Sequence, residues 1–209
     1  MKLIERTVSE LLAALRSSNP TPGGGSASAL AGAMGASLLA MVAGLAKSRA
    51  ATQEDAERLH AAGNRCAALG AELEALVDRD SEAYNLVVAA YRRPKTTDAE
   101  KAARAAAVQD GMRAAIAAPL DIMRATAAAA EQGVVVAALG NPAASSDVQV
   151  GFELLNAALR GAKLNVEANA GNVKDEAYLA RVRADADEFG RAIAHETEAG
   201  KRALGRVEV

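Results

Sequence analysis

The chain has 209 residues, which is enough for one domain with a single sizeable core. Its residues are 51% hydrophobic but only 2% aromatic, so Ala, Leu, Val and Met must fill the interior. Ala favours helices, whereas a sheet protein needs more β-branched and aromatic residues. We therefore predict an all-α fold: one helical domain over residues 1–209, built as a bundle of long antiparallel helices.

Charge and cysteine content indicate which binding partners and which cellular compartment to expect. The 24 basic and 26 acidic residues are interspersed and give a net charge of −2, which offers no polycationic surface for nucleic acid. The single cysteine, Cys66, cannot form an internal disulfide or build a zinc site by itself. The first ten residues carry charges where an export signal would be apolar. We expect a cytoplasmic protein.

One uncharged segment has the length of a membrane span. It runs for 21 residues from Ser26 to Ala46 and is followed by Lys47 and Arg49. The segment is mostly Ala, Gly and Ser, which gain little from lipid. A buried core helix is the preferred interpretation, with no membrane partner.

The first helix is predicted to begin at a capping box formed by Thr7 and Glu10, and to end at Ser17 and Ser18. The loop NPTPGGG then extends from Asn19 to Gly25. Its prolines restrict the backbone, and its glycines permit conformations that are closed to other residues. The sequence thus indicates a shaped loop before the second helix.

The second helix carries a ridge of small residues at i+4 spacing. Its members are Ser28, Gly32, Ala36, Ala40 and Gly44. Another backbone can approach such a ridge closely, either from a neighbouring helix or from the same helix of a second subunit. The ridge therefore allows a homo-oligomer, without a decision between the two packing partners.

Residues that cap or break helices predict the bounds of the later helices. A long third helix is predicted from Glu54 to Tyr91, broken by the segment from Arg92 to Pro94. Thr97 and Glu100 form a second capping box. The fourth helix begins at this capping box and should reach about Gln132, with a kink at Pro119 and a stop at Gly133. The loop GNPAASSD follows. Two more helices are predicted over residues 147–169 and 175–200.

Asp80 is the clearest candidate for chemistry. It interrupts an apolar stripe on the third helix whose other members are Leu73, Val77, Tyr84, Val87 and Tyr91. A carboxylate placed there loses hydration, so either it is held in a structural ion pair or hydrogen bond, or it has a raised pKa suited to a general acid or base. The pattern alone leaves both interpretations open.

Two loops that lead into helices are candidate binding elements. Gly23, Gly24, Gly25 and Ser26 present backbone amides to an anion, although such glycines can also serve only to turn the chain. The segment from Asn141 to Asp147 is similar, and Ser145, Ser146 or Asp147 could instead be a helix N-cap.

The remaining reactive side chains are weaker candidates. Lys95 follows the Pro94 break and could reach a substrate carboxylate or simply be solvated. His60 and His195 lack metal-ligand spacing, so both are interpreted as structural, and Cys66 is interpreted as a small packing residue.

Three segments in order resemble the cyclodeaminase/cyclohydrolase family. They are Pro20–Val42 (PTPGGGSASALAGAMGASLLAMV), Leu76–Leu120 and Gly140–Asp175. The resemblance implies an all-helical dimer that acts on a tetrahydrofolate derivative as substrate, with no permanently bound cofactor. It also implies that the candidate elements above gather around a folate pocket near a subunit boundary.

The resemblance assigns roles to these residues. Asp80 and Asp147 would be catalytic, Asp80 by exchanging protons and Asp147 by orienting or stabilising the cationic folate ring. Substrate binding would fall to Gly23, Gly24, Gly25, Ser26, Tyr84, Lys95, Asn141 and Ser146.

The family performs two reactions, and the sequence favours neither firmly. A cyclodeaminase closes formimino-tetrahydrofolate to the methenyl form and releases ammonia, whereas a cyclohydrolase adds water to the methenyl bridge. Arg93 and Ala143 depart from the expected pattern, and Ser146–Val150 (SDVQV) leans toward the deaminase. The rival hypothesis is a noncatalytic helical dimer or folate-binding module.

Overall fold

A computed structural model describes residues 1–205 of the chain. It contains six α-helices and one short 3₁₀ helix, and no strand occurs in this range, so the predicted all-α fold is confirmed. The helices are α1 (Val8–Leu15), α2 (Gly24–Ala43), α3 (Gln53–Tyr91), α4 (Asp98–Leu139), α5 (Ser145–Ala170) and α6 (Glu176–Gly205), and the 3₁₀ helix is Pro142–Ala144.

Both predicted capping boxes are present. The Thr7 hydroxyl accepts a hydrogen bond from the Glu10 N–H (3.3 Å), and the Glu10 carboxylate accepts one from the Thr7 N–H (2.9 Å). Thr97 and Glu100 repeat the arrangement at the start of α4. These local hydrogen bonds satisfy amides that a helix start leaves without partners, so sequence spacing alone can locate them.

Helix α2 lies at the centre of the bundle and packs antiparallel to α3 and α5. A Cβ atom at Gly32 would contact Leu73 of α3 and Ala158 of α5 at 3.1–3.3 Å. A Cβ atom at Gly35 would lie 2.8 Å from the carbonyl oxygen of Gly151, which is closer than real Cβ contacts. The small-residue ridge therefore serves internal helix neighbours, which answers the question that the sequence left open.

Two helices, α2 and α4, are long and apolar enough to cross a membrane by length and composition alone. About half of each apolar window is buried inside the bundle, at 50% and 56%. The prediction that α2 is a core helix agrees with this packing. Helix α4 meets the same criterion, although the sequence analysis singled out only the segment that forms α2.

The predicted end of α4 was also wrong. Gly133 does not stop the helix, which continues to Leu139. A Cβ atom at Gly133 would lie 2.9 Å from the Phe152 ring and 3.0 Å from Leu39. Gly133 thus makes room for an aromatic ring of α5, a tertiary role that the local sequence does not display.

Pro119 lies inside the continuous helix α4, where it cannot donate to the carbonyl of Ala115. The side chain of Asn169 on α5 supplies the missing donor, with 2.8 Å between its Nδ2 and the Ala115 oxygen. A side-chain hydrogen bond from a neighbouring helix therefore replaces the bond that proline removes.

We predict that Asn169→Ala lowers the free energy of unfolding by about 1–3 kcal/mol, because the buried Ala115 carbonyl loses its partner. In a Pro119→Ala background the backbone regains an N–H that restores the helical hydrogen bond, so the same substitution should cost less. Urea unfolding of the wild type, both single variants and the double variant measures this coupling. Equal costs of Asn169→Ala in the two backgrounds would contradict the explanation.

Candidate active site

Asp80 projects from α3 against the amino-terminal turn of α2. Its carboxylate lies so close to Gly25 that a Cβ atom at Gly25 would overlap Asp80 Oδ1. The backbone of Ser26 is near enough to this carboxylate to lower its pKa. The start of α2, which the sequence offered to an external anion, thus faces a carboxylate of the same protein.

The Ser26 hydroxyl is buried and has three polar neighbours. It lies 2.8 Å from the Val77 carbonyl oxygen, 3.2 Å from Asp80 Oδ2 and 3.1 Å from the Ser81 hydroxyl. A hydroxyl has one proton to donate, and the Val77 carbonyl can only accept. When Ser26 donates to Val77, a protonated Asp80 can donate to Ser26 in return.

Burial raises the pKa of the Asp80 carboxyl above its ordinary value, and the hydrogen bonds from Ser26 oppose that effect without cancelling it. No lysine or arginine pairs with Asp80 among the ion pairs of residues 1–205. Of the structural interpretations of Asp80, the ion pair is not observed in this range, whereas a hydrogen bond with the Ser26 hydroxyl is present. The geometry is that of a carboxyl group able to change protonation state.

Gly25 is required for space and not for backbone freedom. No glycine in the described range has a positive φ, and Gly23 itself has an extended backbone with φ −127°. The expectation that the glycine run adopts conformations closed to other residues was wrong. The run instead brings the backbone of α2 into direct contact with Asp80.

Sequence reasoning missed Asn165 and Ser81 as members of this region. A Cβ atom at Gly24 would lie 3.3 Å from the Asn165 Nδ2 atom, so Asn165 flanks the same helix turn from α5. Its amide also donates to the Gly161 carbonyl at 2.8 Å. Only the antiparallel packing of α2 and α5 reveals that this residue, 139 positions after Ser26 in sequence, lies at the site.

The other candidates on α3 extend away from Asp80 toward the carboxyl end of the helix. Tyr84 follows one turn later and is 39% exposed, and Tyr91 lies nearly in line two turns beyond it. Lys95 lies in the exposed segment after α3 and lines a cavity together with Tyr91 and Arg104. Tyr84 therefore lies one helical turn from Asp80, whereas Lys95 lies beyond the carboxyl end of α3, beside Tyr91.

Within one subunit the second predicted cluster lies far from the first. Asp147 and Asn165 are both on α5, separated by 18 residues and thus by about 27 Å of helix. The Asn141 side chain caps the 3₁₀ helix by accepting from the Ala143 N–H (2.8 Å) and donates to the Ala46 carbonyl (2.7 Å). The chain therefore places Asn141, Ser146 and Asp147 at the opposite end of the bundle from Asp80.

The alternative that Ser145, Ser146 or Asp147 serves as the N-cap of α5 is wrong. Ala144 occupies the N-cap position, and the three polar residues form the first turn of the helix. Ser145 and Ser146 line a cavity of about 630 Å³ together with Arg49. These polar groups therefore have no capping role that would explain them.

Cys66 packs in the core as the sequence predicted, whereas His60 and His195 lie on the surface. Cys66 is fully buried in the core, where burial raises its pKa to about 12, so its thiol stays protonated. His60 lies near Asn64 on an exposed surface, and His195 lies beside Glu196. Within residues 1–205 no group of three potential metal ligands occurs.

The fold and this site define a class of all-α protein in which a desolvated carboxyl group packs against the start of a core helix. Such a group is suited to proton transfer. The sequence profile of the formiminotransferase-cyclodeaminase family matches residues 7–188. The chain belongs to this family, so the predicted resemblance is confirmed.

Individual relatives agree with the family assignment. A methenyltetrahydrofolate cyclohydrolase from Methylorubrum extorquens is 38% identical over 172 residues, which cover 82% of this chain and 83% of that protein. A formimidoyltransferase-cyclodeaminase from Sus scrofa is 35% identical over 185 residues, covering 87% of this chain but only 34% of the larger protein. A solved formiminotetrahydrofolate cyclodeaminase from Thermotoga maritima has the same fold, with a TM-score of 0.85, 23% identity and coverage of 97% and 98% of the two chains.

We predict that Gly25→Ala lowers kcat by about 100-fold while the protein stays folded, because the methyl group displaces the Asp80 carboxylate and a shift of roughly 1 Å can cost this much. The matched control is Gly190→Ala on α6, where an added Cβ meets no atom within 4 Å. Steady-state kinetics with circular dichroism on both variants measures the effect. Full activity of Gly25→Ala would show that the contact has no catalytic role.

Proposed function

We propose that this chain is a one-carbon folate enzyme in which Asp80 is the general acid and base, and that it hydrolyses the methenyl bridge of methenyl-tetrahydrofolate. The observation that carries the proposal is the desolvated Asp80 carboxyl against the first turn of α2. The relative from Methylorubrum extorquens, which matches over most of both chains, supports the cyclohydrolase reaction.

The reaction needs a group that accepts a proton and a site that returns one. Water attacks the cationic methenyl carbon, and the ionised Asp80 takes the proton that the water loses. The tetrahedral intermediate then breaks its bond to the N5 ring nitrogen: protonated Asp80 gives its proton to N5 and takes the hydroxyl proton in return. The product is the formyl-tetrahydrofolate, and one proton is released to solvent.

The cyclodeaminase reaction is the second candidate, favoured by the family profile and by the relative from Sus scrofa. There the N10 nitrogen attacks the formimino carbon, Asp80 takes the N10 proton, and the departing nitrogen is protonated before ammonia leaves. Both reactions pass through a tetrahedral carbon between N5 and N10, so one carboxyl group suits either.

The substrate separates the two candidates. Purified protein is incubated with methenyl-tetrahydrofolate or with formimino-tetrahydrofolate while the methenyl absorbance is followed against enzyme-free controls. Faster loss of absorbance from the first substrate supports the cyclohydrolase. Gain of absorbance with ammonia release from the second supports the cyclodeaminase, and a folded protein inactive toward both would refute the proposed function.

We predict that Asp80→Asn lowers kcat by at least about 100-fold, since the amide cannot exchange protons. In the wild type the hydrolysis rate should fall as pH drops through the raised pKa of Asp80, because the base form is lost. Ser26→Ala removes a hydrogen bond that lowers this pKa, so it should shift the acid limb to higher pH. The pH profiles of kcat/KM measure both effects.

Thermal unfolding provides the control for Asp80→Asn. A carboxyl whose pKa is raised by folding destabilises the fold as pH increases through that pKa, and Asn carries no charge to desolvate. The Tm of Asp80→Asn minus that of the wild type should therefore increase from pH 4 to pH 8. An inactive variant that is also less stable at pH 8 would indicate a structural role for Asp80.

We also propose that the chain acts in the cytoplasm as a homodimer through the exposed face of α2. This α2 surface consists of Leu30, Met34, Leu38 and Met41 on α2, with Ile4 and Leu154 beside them. Met34 and Met41 are 46% and 45% exposed, and Glu74 is the one charged residue among the described residues that line the groove. A second copy of the same apolar surface is the occupant that we propose, since apolar burial stabilises such contacts.

A dimer of this kind would explain why the polar residues around Asp80 lie far from the polar segment Asn141–Asp147 within one subunit. Met34 lies at the middle of α2, a helix of 20 residues and thus about 30 Å. A twofold axis there pairs α2 antiparallel with its copy. The end of one subunit that carries Asp147 then lies beside the end of the other subunit that carries Asp80. The partner subunit's Ser146 and Asp147 would then approach Asp80 of this chain.

Mixing inactive variants tests the shared site. If Asp80 and Asp147 of different subunits form each site, then Asp80→Asn and Asp147→Asn are each inactive, and an equal mixture regains about one quarter of wild-type activity through mixed dimers. Refolding the two variants together and assaying the mixture measures this. No recovery in proven mixed dimers would contradict the shared site, and a monomeric wild type in light scattering would contradict the dimer.

A further inference from the structure

Two serine hydroxyls connect Asp80 with a polar cavity that Asp80 itself does not line. Asp80 Oδ2 lies 3.2 Å from the Ser26 hydroxyl, which lies 3.1 Å from the Ser81 hydroxyl. Ser81 lines a cavity of about 280 Å³ between the N-terminal segment, the loop before α2 and one face of α3, and Asp80 is not among the described residues of its wall. The carboxyl group therefore has a polar connection to a second space.

The hydroxyls of this connection can pass a proton. Each serine oxygen can accept one proton while it donates another. The Ser26 hydroxyl lies within donating distance of the Val77 carbonyl (2.8 Å) and of Ser81 Oγ, so a rotation of the hydroxyl redirects its proton from Val77 to Ser81. Ser26 then takes the proton of Asp80 and gives its own to Ser81, which gives its own to solvent in the cavity. Asp80 loses one proton, solvent gains one, and both serines end as they began.

The charges around the cavity favour the arrival of a proton. The charged residues in the described part of its wall are Arg6, Asp78 and Glu82, which together carry one net negative charge. Both oxygens of Asp78 accept backbone hydrogen bonds, from the N–H groups of Leu3 (2.6 Å) and Ile4 (3.3 Å). Glu82 is exposed and forms no ion pair within residues 1–205, so its carboxylate can pass a proton on to bulk solvent.

Hydrolysis of a methenyl bridge leaves one proton on the enzyme. In the proposed reaction the attacking water supplies two protons, of which N5 receives one and Asp80 retains the other. A folate whose reacting carbon lies at Asp80 would cover the remaining exposed edge of this carboxyl group. While Asp80 stays protonated, the bound product can lose water and return to the methenyl form through the same steps. Departure of the proton before the product leaves would therefore commit the turnover.

We infer that Ser26 and Ser81 form a relay that carries this proton from Asp80 to the polar cavity while the product is still bound. The inference rests on the proposed function and adds Ser81, which acts through Ser26 and Asp80 and not on the folate. The alternative is that Ser81 only packs α3 against the start of α2. A packing role would affect the first turnover as much as the later ones, whereas a relay is needed only after the first.

Stopped-flow kinetics of Ser81→Ala test the relay. With excess methenyl-tetrahydrofolate in weak buffer, we expect a rapid loss of up to about one equivalent of methenyl absorbance at the wild-type rate, followed by a steady state about tenfold slower than that of the wild type. A pH indicator should report proton release at the slow rate. A high concentration of imidazole, a small base that can take the proton in place of Ser81, should restore the steady state.

Ser17→Ala is the matched control. Ser17 lines the same cavity, but its hydroxyl donates to the Ala14 carbonyl (2.7 Å) and accepts from the Asn19 N–H (3.3 Å), outside the path from Asp80. This variant should keep the wild-type rate in both phases. A Ser81→Ala protein that slows the first turnover as much as the later ones, or whose slow phase does not respond to imidazole, would indicate packing and overturn the relay.

Wild-type turnover separates failure of the relay from failure of the proposed function. An active wild type together with a Ser81→Ala variant of unchanged steady-state rate would overturn the relay and leave the hydrolysis in place. A folded wild type that hydrolyses no methenyl-tetrahydrofolate would refute the proposed reaction and the relay with it.

Discussion

The close approach of α2 to its neighbours is the constraint on which the structure depends. A side chain at Gly25 or Gly35 would overlap atoms of α3 or α5, and one at Gly32 would crowd both helices. The backbone of α2 therefore packs directly against its two neighbours. Interiors packed at this density tolerate little added volume. The same contact that orders the bundle also presses Asp80 against the first turn of α2, so packing and candidate chemistry share one interface.

Asp80 illustrates a conflict between stability and function. Burial makes its ionised form unfavourable, and among residues 1–205 the hydrogen bonding from Ser26 opposes this effect. A residue selected for stability alone would be neutral at this position. A carboxyl whose pKa is raised, and which can gain and lose a proton, is instead what the proposed transfer at a one-carbon bridge needs. The chain belongs to the formiminotransferase-cyclodeaminase family, and proton transfer by Asp80 is the role that we propose for this arrangement.

The positions of the polar residues in the bundle are best explained by two chains that associate. Asp80 and Asp147 lie at opposite ends, and the apolar α2 surface with Met34 at its centre lies between them. A single subunit gives no reason for the helix-start residues Ser146 and Asp147, since Ala144 already occupies the cap. Antiparallel association would give them a role, and it would give the exposed methionines a partner.

The sequence by itself determined the all-α class, both capping boxes, the core position of α2 and the family, because these follow from composition, short-range hydrogen bonds and motif order. It also singled out Asp80 as a polar interruption of an apolar stripe. Only the tertiary structure decided that Gly133 accommodates Phe152, that Asn169 compensates for Pro119, and that Asn165 reaches the site. Each of these depends on contacts between helices distant in sequence, and local periodicity carries no information about which residues meet across them.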